Sequence, residues 1–255
     1  MAIIPDLRDP TLEAMKEAIR WAQDTTRRDY LGASLIGNEC ARQIYYEYNG
    51  YERPPFEAET LMNFEDGHRT EDLTASRLRL VDGIELWTHD ENGEQFGFSA
   101  LEGKFSGHCD GVIRGLKQAP KALHVWEAKC SAYKKFNEFK SAKQKFGDRL
   151  ALKNWNTNYF AQAQLYMHYL QIDRHYMTVA LAGGRDYDSC RTEYQPDIAE
   201  YYIQRAEKII NTKEPPPKIN DKPDFFLCRF CNFKEICHNA KNTSSLPAIR
   251  NQLPF

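Results

Sequence analysis

His124-Val125-Trp126-Glu127-Ala128-Lys129 is an apolar run that ends on a carboxylate and an ammonium. It reads as a β-strand, and alternation along a strand puts Glu127 and Lys129 on the same side. Phe105-Ser106-Gly107-His108-Cys109-Asp110-Gly111-Val112-Ile113 is a second strand-like run upstream. Gly115 to Lys121, with Pro120, supplies a turn that would pair the two. Asp110, Glu127 and Lys129 then converge. An Asp and a Glu-x-Lys by themselves are ordinary on a solvated hairpin. Here, however, Glu127 and Lys129 close an apolar strand, and Gly107 permits close backbone approach beside Asp110. Carboxylate oxygens suit Mg²⁺ or Mn²⁺, and a neighbouring lysine can orient a water or steady a phosphate.

Working outward, Asp9-Pro10-Thr11 starts a helix with Leu12, Met15, Ile19 and Ala22 at helical spacing. Ser34 caps a second helix through Cys40 to Tyr46, and a third covers Glu59 to Leu80, with Leu61, Phe64, His68, Glu71, Leu73 and Ala75 recurring along it. Glu94 to Leu101 reads as a strand before the hairpin. After it come a long helical stretch around Phe160 to Met167, strands at His175 to Ala182 and Arg191 to Tyr194, and a helix at Ile198 to Ile210. Pro215-Pro216-Pro217 marks a break before a cysteine-bearing tail. This order predicts one α/β core, a central mixed sheet flanked by helices. The expected organisation is an N-terminal helical region over 1–58, a core over 59–212 and a tail over 213–255, packed with the N-terminal region.

The 255 residues allow one substantial core, and 42% hydrophobic with 27% charged residues is ordinary for a globular chain. A formal net charge of −2 places any nucleic-acid surface locally, not over the whole molecule. No apolar run approaches a membrane span, Met1 to Pro10 lacks the pattern of a secretory signal, and the expected location is the cytoplasm. Seven cysteines do not suit a secreted disulfide framework. Cys228-Arg229-Phe230-Cys231 followed by Cys237 has metal-ligand spacing, and His238 keeps a zinc site open. Cys109, Cys130 and Cys190 read as small packed residues, the first two also as possible oxidation targets beside the site. Between Cys130 and Lys153, Lys134, Lys135, Lys140 and Lys143 interleave with Tyr133, Phe136, Phe139 and Phe146, a pattern that can meet phosphates and bases. A solvated basic helix with a buried aromatic side has the same pattern.

Two further elements accompany Asp110 and Glu127-Ala128-Lys129. Glu71 lies upstream on a helix, and Gln162 and Tyr166 lie one helical turn apart downstream. Together these residues resemble the PD-(D/E)XK nuclease superfamily and, within it, RecB-like exonucleases. The resemblance spans Gly67 to Tyr166. It matches Glu71 to the acidic or histidine position of the first helix, Asp110 to the aspartate, Glu127-Ala128-Lys129 to (D/E)-x-K, and Gln162 to Tyr166 to Gln-x-x-x-Tyr. CRISPR-associated members usually carry histidine where Glu71 stands, whereas lambda-exonuclease-like phage enzymes carry glutamate. His68, one turn earlier, reads as a neighbour, with a metal role as the alternative.

The resemblance implies a restriction-endonuclease-like core and a metal-dependent deoxyribonuclease. Glu71, Asp110, Glu127 and the Ala128 carbonyl would hold Mg²⁺ or Mn²⁺. Lys129 would hold or deprotonate the attacking water, Gln162 would position substrate or lysine, and Tyr166 would pack or contact DNA. Cys40-Ala41-Arg42 resembles the lone N-terminal cysteine of RecB-like proteins in which it and three C-terminal cysteines bind a 4Fe–4S cluster. Cys40, Cys228, Cys231 and Cys237 are the matching set. Expected partners are DNA, as single strands or duplex ends, and a second copy of the chain or a recombination or adaptation protein. The implied activity is exonucleolytic and 5′→3′, in phage-type recombination or replication or in CRISPR adaptation. The other reading is a non-catalytic, zinc-containing nucleic-acid-binding or assembly module. A subunit of a helicase–nuclease complex is also open, with the motor in a partner, because the chain has no phosphate-binding loop of the Walker type.

Overall fold

The computed structural model describes residues 8–239. Helix α1 (Pro10–Trp21) starts where expected, with the Asp9 carboxylate accepting from Thr11 N and Leu12 N and with Pro10 in the first turn. A two-residue strand β1 (Leu31–Gly32) precedes α2 (Ala41–Asn49), which ends on Gly50 at φ 79°, and α3 (Ala58–Leu78) follows. Strands β2 (Glu85–Trp87), β3 (Gly97–Ala100), β4 (Phe105–His108), β5 (Gly111–Arg114) and β6 (His124–Ser131) come next. Three helices, α4 (Tyr133–Phe146), α5 (Ala151–Trp155) and α6 (Thr157–Leu170), lead to β7 (Arg174–Leu181), β8 (Tyr187–Glu193) and α7 (Pro196–Asn211). Short helices α8 (Phe226–Arg229) and α9 (Lys234–His238) carry the tail cysteines.

The main sheet has the order β2-β5-β6-β7-β8. All its pairs are antiparallel except β6 with β7, whose parallel pairing needs the crossover that α4, α5 and α6 provide. A small sheet, β1-β4-β3, lies beside it, with β1 parallel to β4. The fold is therefore α/β, a central mixed sheet flanked by helices, as the element order predicts.

Strand β6 is buried on both faces, which explains why it reads as a continuous apolar run. Val125 joins the cluster of Leu165, Met177 and Val179 on the α6 side. Trp126 and Ala128 join Ala75, Ile113 and Leu116 on the α3 side. No helix among the described residues is long and apolar enough to cross a membrane.

Two expectations are corrected. Phe105 to Ile113 is not one strand: β4 belongs to the small sheet and β5 to the main one, and the break falls at Cys109-Asp110. The apolar stripe expected along α3 is also rotated. Phe64 and Leu73 are 48% and 38% exposed, whereas Thr70, Thr74 and Ala75 are buried against the sheet. Threonines close to the sheet carry the packing there, and hydropathy alone does not mark them.

Candidate active site

The strand break is what presents Asp110. Ladder pairing between β5 and β6 stops at Gly111 opposite Trp126. Beyond it the Asp110 side chain takes over from a strand partner, and its Oδ2 accepts from Ala128 N at 2.7 Å. The carboxylate is thus fixed against the (D/E)-x-K triplet by backbone geometry.

Along β6, Glu127 and Lys129 share a side, and Lys129 Nζ lies 2.7 Å from Glu127 Oε1. Glu127 is only 2% exposed, and its Oε2 is buried with no hydrogen-bond partner. A carboxylate oxygen left bare in this way is costly unless a cation meets it. Burial pushes the Glu127 carboxyl well above the usual carboxylate range, and the Asp110 charge adds to the push. Burial opposes the Lys129 ammonium, but the Glu127 and Asp110 carboxylates more than offset it, so the lysine stays protonated.

From the other side, α3 brings Glu71, half-buried. Burial first, and then the Asp110 charge, raise its carboxyl to about 7. The three acids are thus close enough to oppose one another's ionisation. A divalent cation would relieve that repulsion, and the bare Glu127 Oε2 is an oxygen of the kind such a cation would meet. Among the described residues, no three His, Cys, Asp or Glu side chains stand close enough to grip an ion as they are. Lys129 occupies Glu127 Oε1 in their place.

Helix α6 starts at Asn156, whose side chain accepts from Tyr159 N at 3.1 Å. It places Gln162 and Tyr166 behind the acids. Gln162 Nε2 donates to Tyr166 Oη at 2.9 Å, and Tyr166 Oη donates to the His108 carbonyl at 2.5 Å. This relay holds the end of β4 two residues before Asp110. Gly107 is required for it, because a Cβ there would sit 2.7 Å from Ala33 Cβ and 3.0 Å from a Tyr166 ring carbon.

Tyr166 is 2% exposed, so DNA contact is not open to it in this arrangement; it packs and braces. The expected oxidation sensitivity of Cys109 is also corrected. The thiol is fully buried, and burial, reinforced by the Glu127 charge, pushes it far from ionisation. Cys130 is half-buried, and Cys190 is buried with its thiol pushed up to about 12 by the same cause. His68 is exposed on α3.

One residue was missed by the sequence reading. The Tyr159 ring lies 5.2 Å from Lys129 Nζ, a cation–π contact that steadies the ammonium. Its signal was available, because Tyr159 precedes Gln162 by three residues and so shares its helix face.

Of the basic residues on α4, Lys134 and Lys135 are exposed, and Lys135 pairs with Glu138 at 3.2 Å. Lys140 reaches Asp186 at 3.6 Å and Lys143 reaches Asp188 at 2.6 Å, so both are tied to the β7–β8 end. Phe136 and Phe139 turn inward, whereas Tyr133 stays exposed.

Cys40, far along the chain from the other three, lines one pocket with Cys228, Cys231 and Cys237, beside Arg42 and Phe233. All four are free thiols. The tail is fastened to α2 by Arg42 Nε donating to Pro216 O at 2.5 Å and Tyr45 Oη donating to Lys213 O at 3.0 Å.

Neither a protein-family model nor a curated protein sequence matches this chain. Among solved structures it is similar to an alkaline exonuclease (LHK-Exo) from Laribacter hongkongensis, at 12% identity and a TM-score of 0.49 over 76% of this chain and 90% of that one. A phage-related exonuclease from Haemophilus somnus 129PT gives 16% identity and a TM-score of 0.43, over 79% and 86% respectively. A protein designated SSO0001 gives 15% identity and a TM-score of 0.48, over 90% and 96%.

Proposed function

We propose that the chain hydrolyses DNA phosphodiester bonds from a strand end with the help of a divalent cation. The observation that carries this reading is the cluster of Glu71, Asp110 and Glu127 around Lys129, with Glu127 Oε2 buried and bare. Glu71, Asp110, Glu127 and the Ala128 carbonyl would hold Mg²⁺ or Mn²⁺. When bound, the cation makes a bound water more acidic and stabilises charge building on the phosphate. Lys129, an ammonium braced by Glu127 and Tyr159, would hold the attacking water or a phosphate oxygen by hydrogen bonding. Gln162 acts through Tyr166 to keep Asp110 in place. Water is the nucleophile, so no covalent protein intermediate forms. Lys134 and Lys145 are exposed on α4 and open to DNA phosphates, whereas Lys135, Lys140 and Lys143 would first have to exchange Glu138, Asp186 and Asp188 for them.

The test is Mg²⁺- or Mn²⁺-dependent loss of end-labelled DNA, absent in Asp110→Ala and in Lys129→Ala. Labels placed at either end read the polarity, expected to be 5′→3′. Degradation by both variants at the parent rate would sink the site assignment.

The cysteine pocket extends the reading. Cys40, Cys228, Cys231 and Cys237 line one pocket, and the resemblance of Cys40-Ala41-Arg42 to the RecB-like pattern supports a 4Fe–4S cluster on these four, with tetrahedral zinc as the other reading. Such a cluster would staple α2 to the tail across the core. Purified protein should then carry iron and sulfide and absorb broadly in the visible; a colourless, zinc-loaded protein would show the staple to be zinc.

A further inference from the structure

Lys129 holds a carboxylate that the proposed cation also needs. Its Nζ lies 2.7 Å from Glu127 Oε1, while Glu127 Oε2 is buried and bare. The negative charges that reach this ammonium are those of Glu127, Asp110 and Glu71. All three are proposed metal ligands. A divalent cation on their oxygens would stand a few ångströms from the ammonium, where like charges repel. Uptake of the cation therefore loosens the hold of Lys129 on Glu127.

The Tyr159 ring is the attractive neighbour that the cation does not claim. Its centre is 5.2 Å from Nζ, inside the range of about 6 Å for a cation–π contact. The ring is anchored from two sides. At the start of α6 the Asn156 side chain accepts from Tyr159 N at 3.1 Å, and the ring meets Trp155 at 5.5 Å between centres. Trp155 meets Phe139 in turn at 4.9 Å, and Phe139 is fully buried. This aromatic ladder ties Tyr159 to the core, so the ring stays in place while the flexible lysine chain moves. A tyrosine beside a lysine is often no more than filler on a surface. Here the Lys129 side chain is only 20% exposed, and cation–π attraction is stronger where water is partly excluded.

We propose that the Lys129 ammonium has two positions, one on Glu127 Oε1 and one on the face of Tyr159, and that cation uptake by the acids moves it from the first to the second. The inference rests on the nuclease reading above and deepens it, with Tyr159 as a positioning residue. On the ring face the ammonium no longer donates to a carboxylate, so its N–H groups are available to the attacking water or a phosphate oxygen. The face of the ring acts and the hydroxyl does not. Phenylalanine should therefore serve in its place, and an aliphatic side chain should not.

Mg²⁺ titrated against the full chain, read as the rise in Tm, tests the exchange without DNA. Tyr159→Leu should need about threefold more Mg²⁺ or higher for half of the rise, and Tyr159→Phe should stay within about twofold of wild type. Lys129→Met, which removes the competing ammonium, should need less Mg²⁺ than wild type, and it carries the test if the leucine variant does not fold. Mg²⁺ requirements equal to wild type in Tyr159→Leu or in Lys129→Met overturn this inference alone. No Mg²⁺-dependent rise in wild type, or a rise that survives in Asp110→Asn, overturns the metal site and the exchange with it.

On end-labelled DNA at saturating Mg²⁺, Tyr159→Leu should lower kcat about tenfold with KM within about twofold, as expected for a contact that matters in the transition state, and Tyr159→Phe should restore it. A kcat for Tyr159→Leu equal to that of wild type overturns the positioning role. The expected Mg²⁺ behaviour with no cleavage by wild type overturns the nuclease reading, while the exchange of Lys129 between Glu127 and Tyr159 stands.

Discussion

Replacing Glu71 with glutamine should make the metal-free protein more stable at pH 8 while abolishing its cleavage of DNA. The Glu71 carboxyl, ordinarily near 4.5, is raised to about 7 by burial and by Asp110. Between those two values the folded state binds more protons than the unfolded one, so stability falls as the pH rises through that window. At about 1.36 kcal/mol per pH unit the unscreened penalty above pH 7 is about 3 kcal/mol. Glu71 is only half-buried, and solvent screening reduces the figure to about 1–2 kcal/mol. Glutamine cannot ionise and escapes the penalty. For a chain of this size that amounts to a rise in Tm of about 2–8 °C. The assay is a thermal melt in EDTA at pH 8 and at pH 4, where wild type and variant are both neutral at this position. The gain should be present at pH 8 and absent at pH 4. An equal gain at both pH values would show that the amide packs better, and no gain at pH 8 would refute the mutual repulsion of the three acids. Adding Mg²⁺ should stabilise the wild type more than the variant, because the ligand set is intact only in the former.

Asp110→Asn keeps an oxygen to accept from Ala128 N, so it should melt close to the parent and yet fail to cleave end-labelled DNA; a large loss of stability would mean that the hydrogen bond depends on charge. Tyr166→Phe strands the buried Gln162 amide and the His108 carbonyl, at about 1–3 kcal/mol in urea unfolding, and should lower kcat by loosening Asp110. Gly107→Ala forces a contact with Ala33 and Tyr166 and should cost about 1–3 kcal/mol, whereas unchanged stability would mean that α6 moves aside freely. Lys134→Ala and Lys145→Ala should each lower the slope of log affinity for DNA against log salt by about 0.9, with no change in sequence preference.

Much of the core was legible because local patterns determine it. The apolar run of His124 to Trp126 marked a strand, and period-two alternation put Glu127 and Lys129 on one side of it. One helical turn linked Gln162 to Tyr166, and their hydroxyl–amide bond is there. The link of Cys40 to Cys228, Cys231 and Cys237 came from the family resemblance alone, and the four line one pocket.

Other features had no local signature. Phe105 to Ile113 satisfies strand propensity throughout, and only the divergence of two sheets breaks it at Asp110, freeing that carboxylate to cap the Ala128 amide. Whether Phe64 or Thr74 faces the sheet depends on how α3 is rotated, which distant contacts decide. Tyr166 reads equally well as a surface aromatic or a buried brace until His108 is brought against its hydroxyl. The chemical kit could be read from the chain, because residue type and local period are properties of short segments. Its charge state arises from packing in three dimensions. A carboxyl is raised to about 7, and a neighbouring carboxylate oxygen left bare, by burial and by charges that come from α3, the β4–β5 break and β6 together.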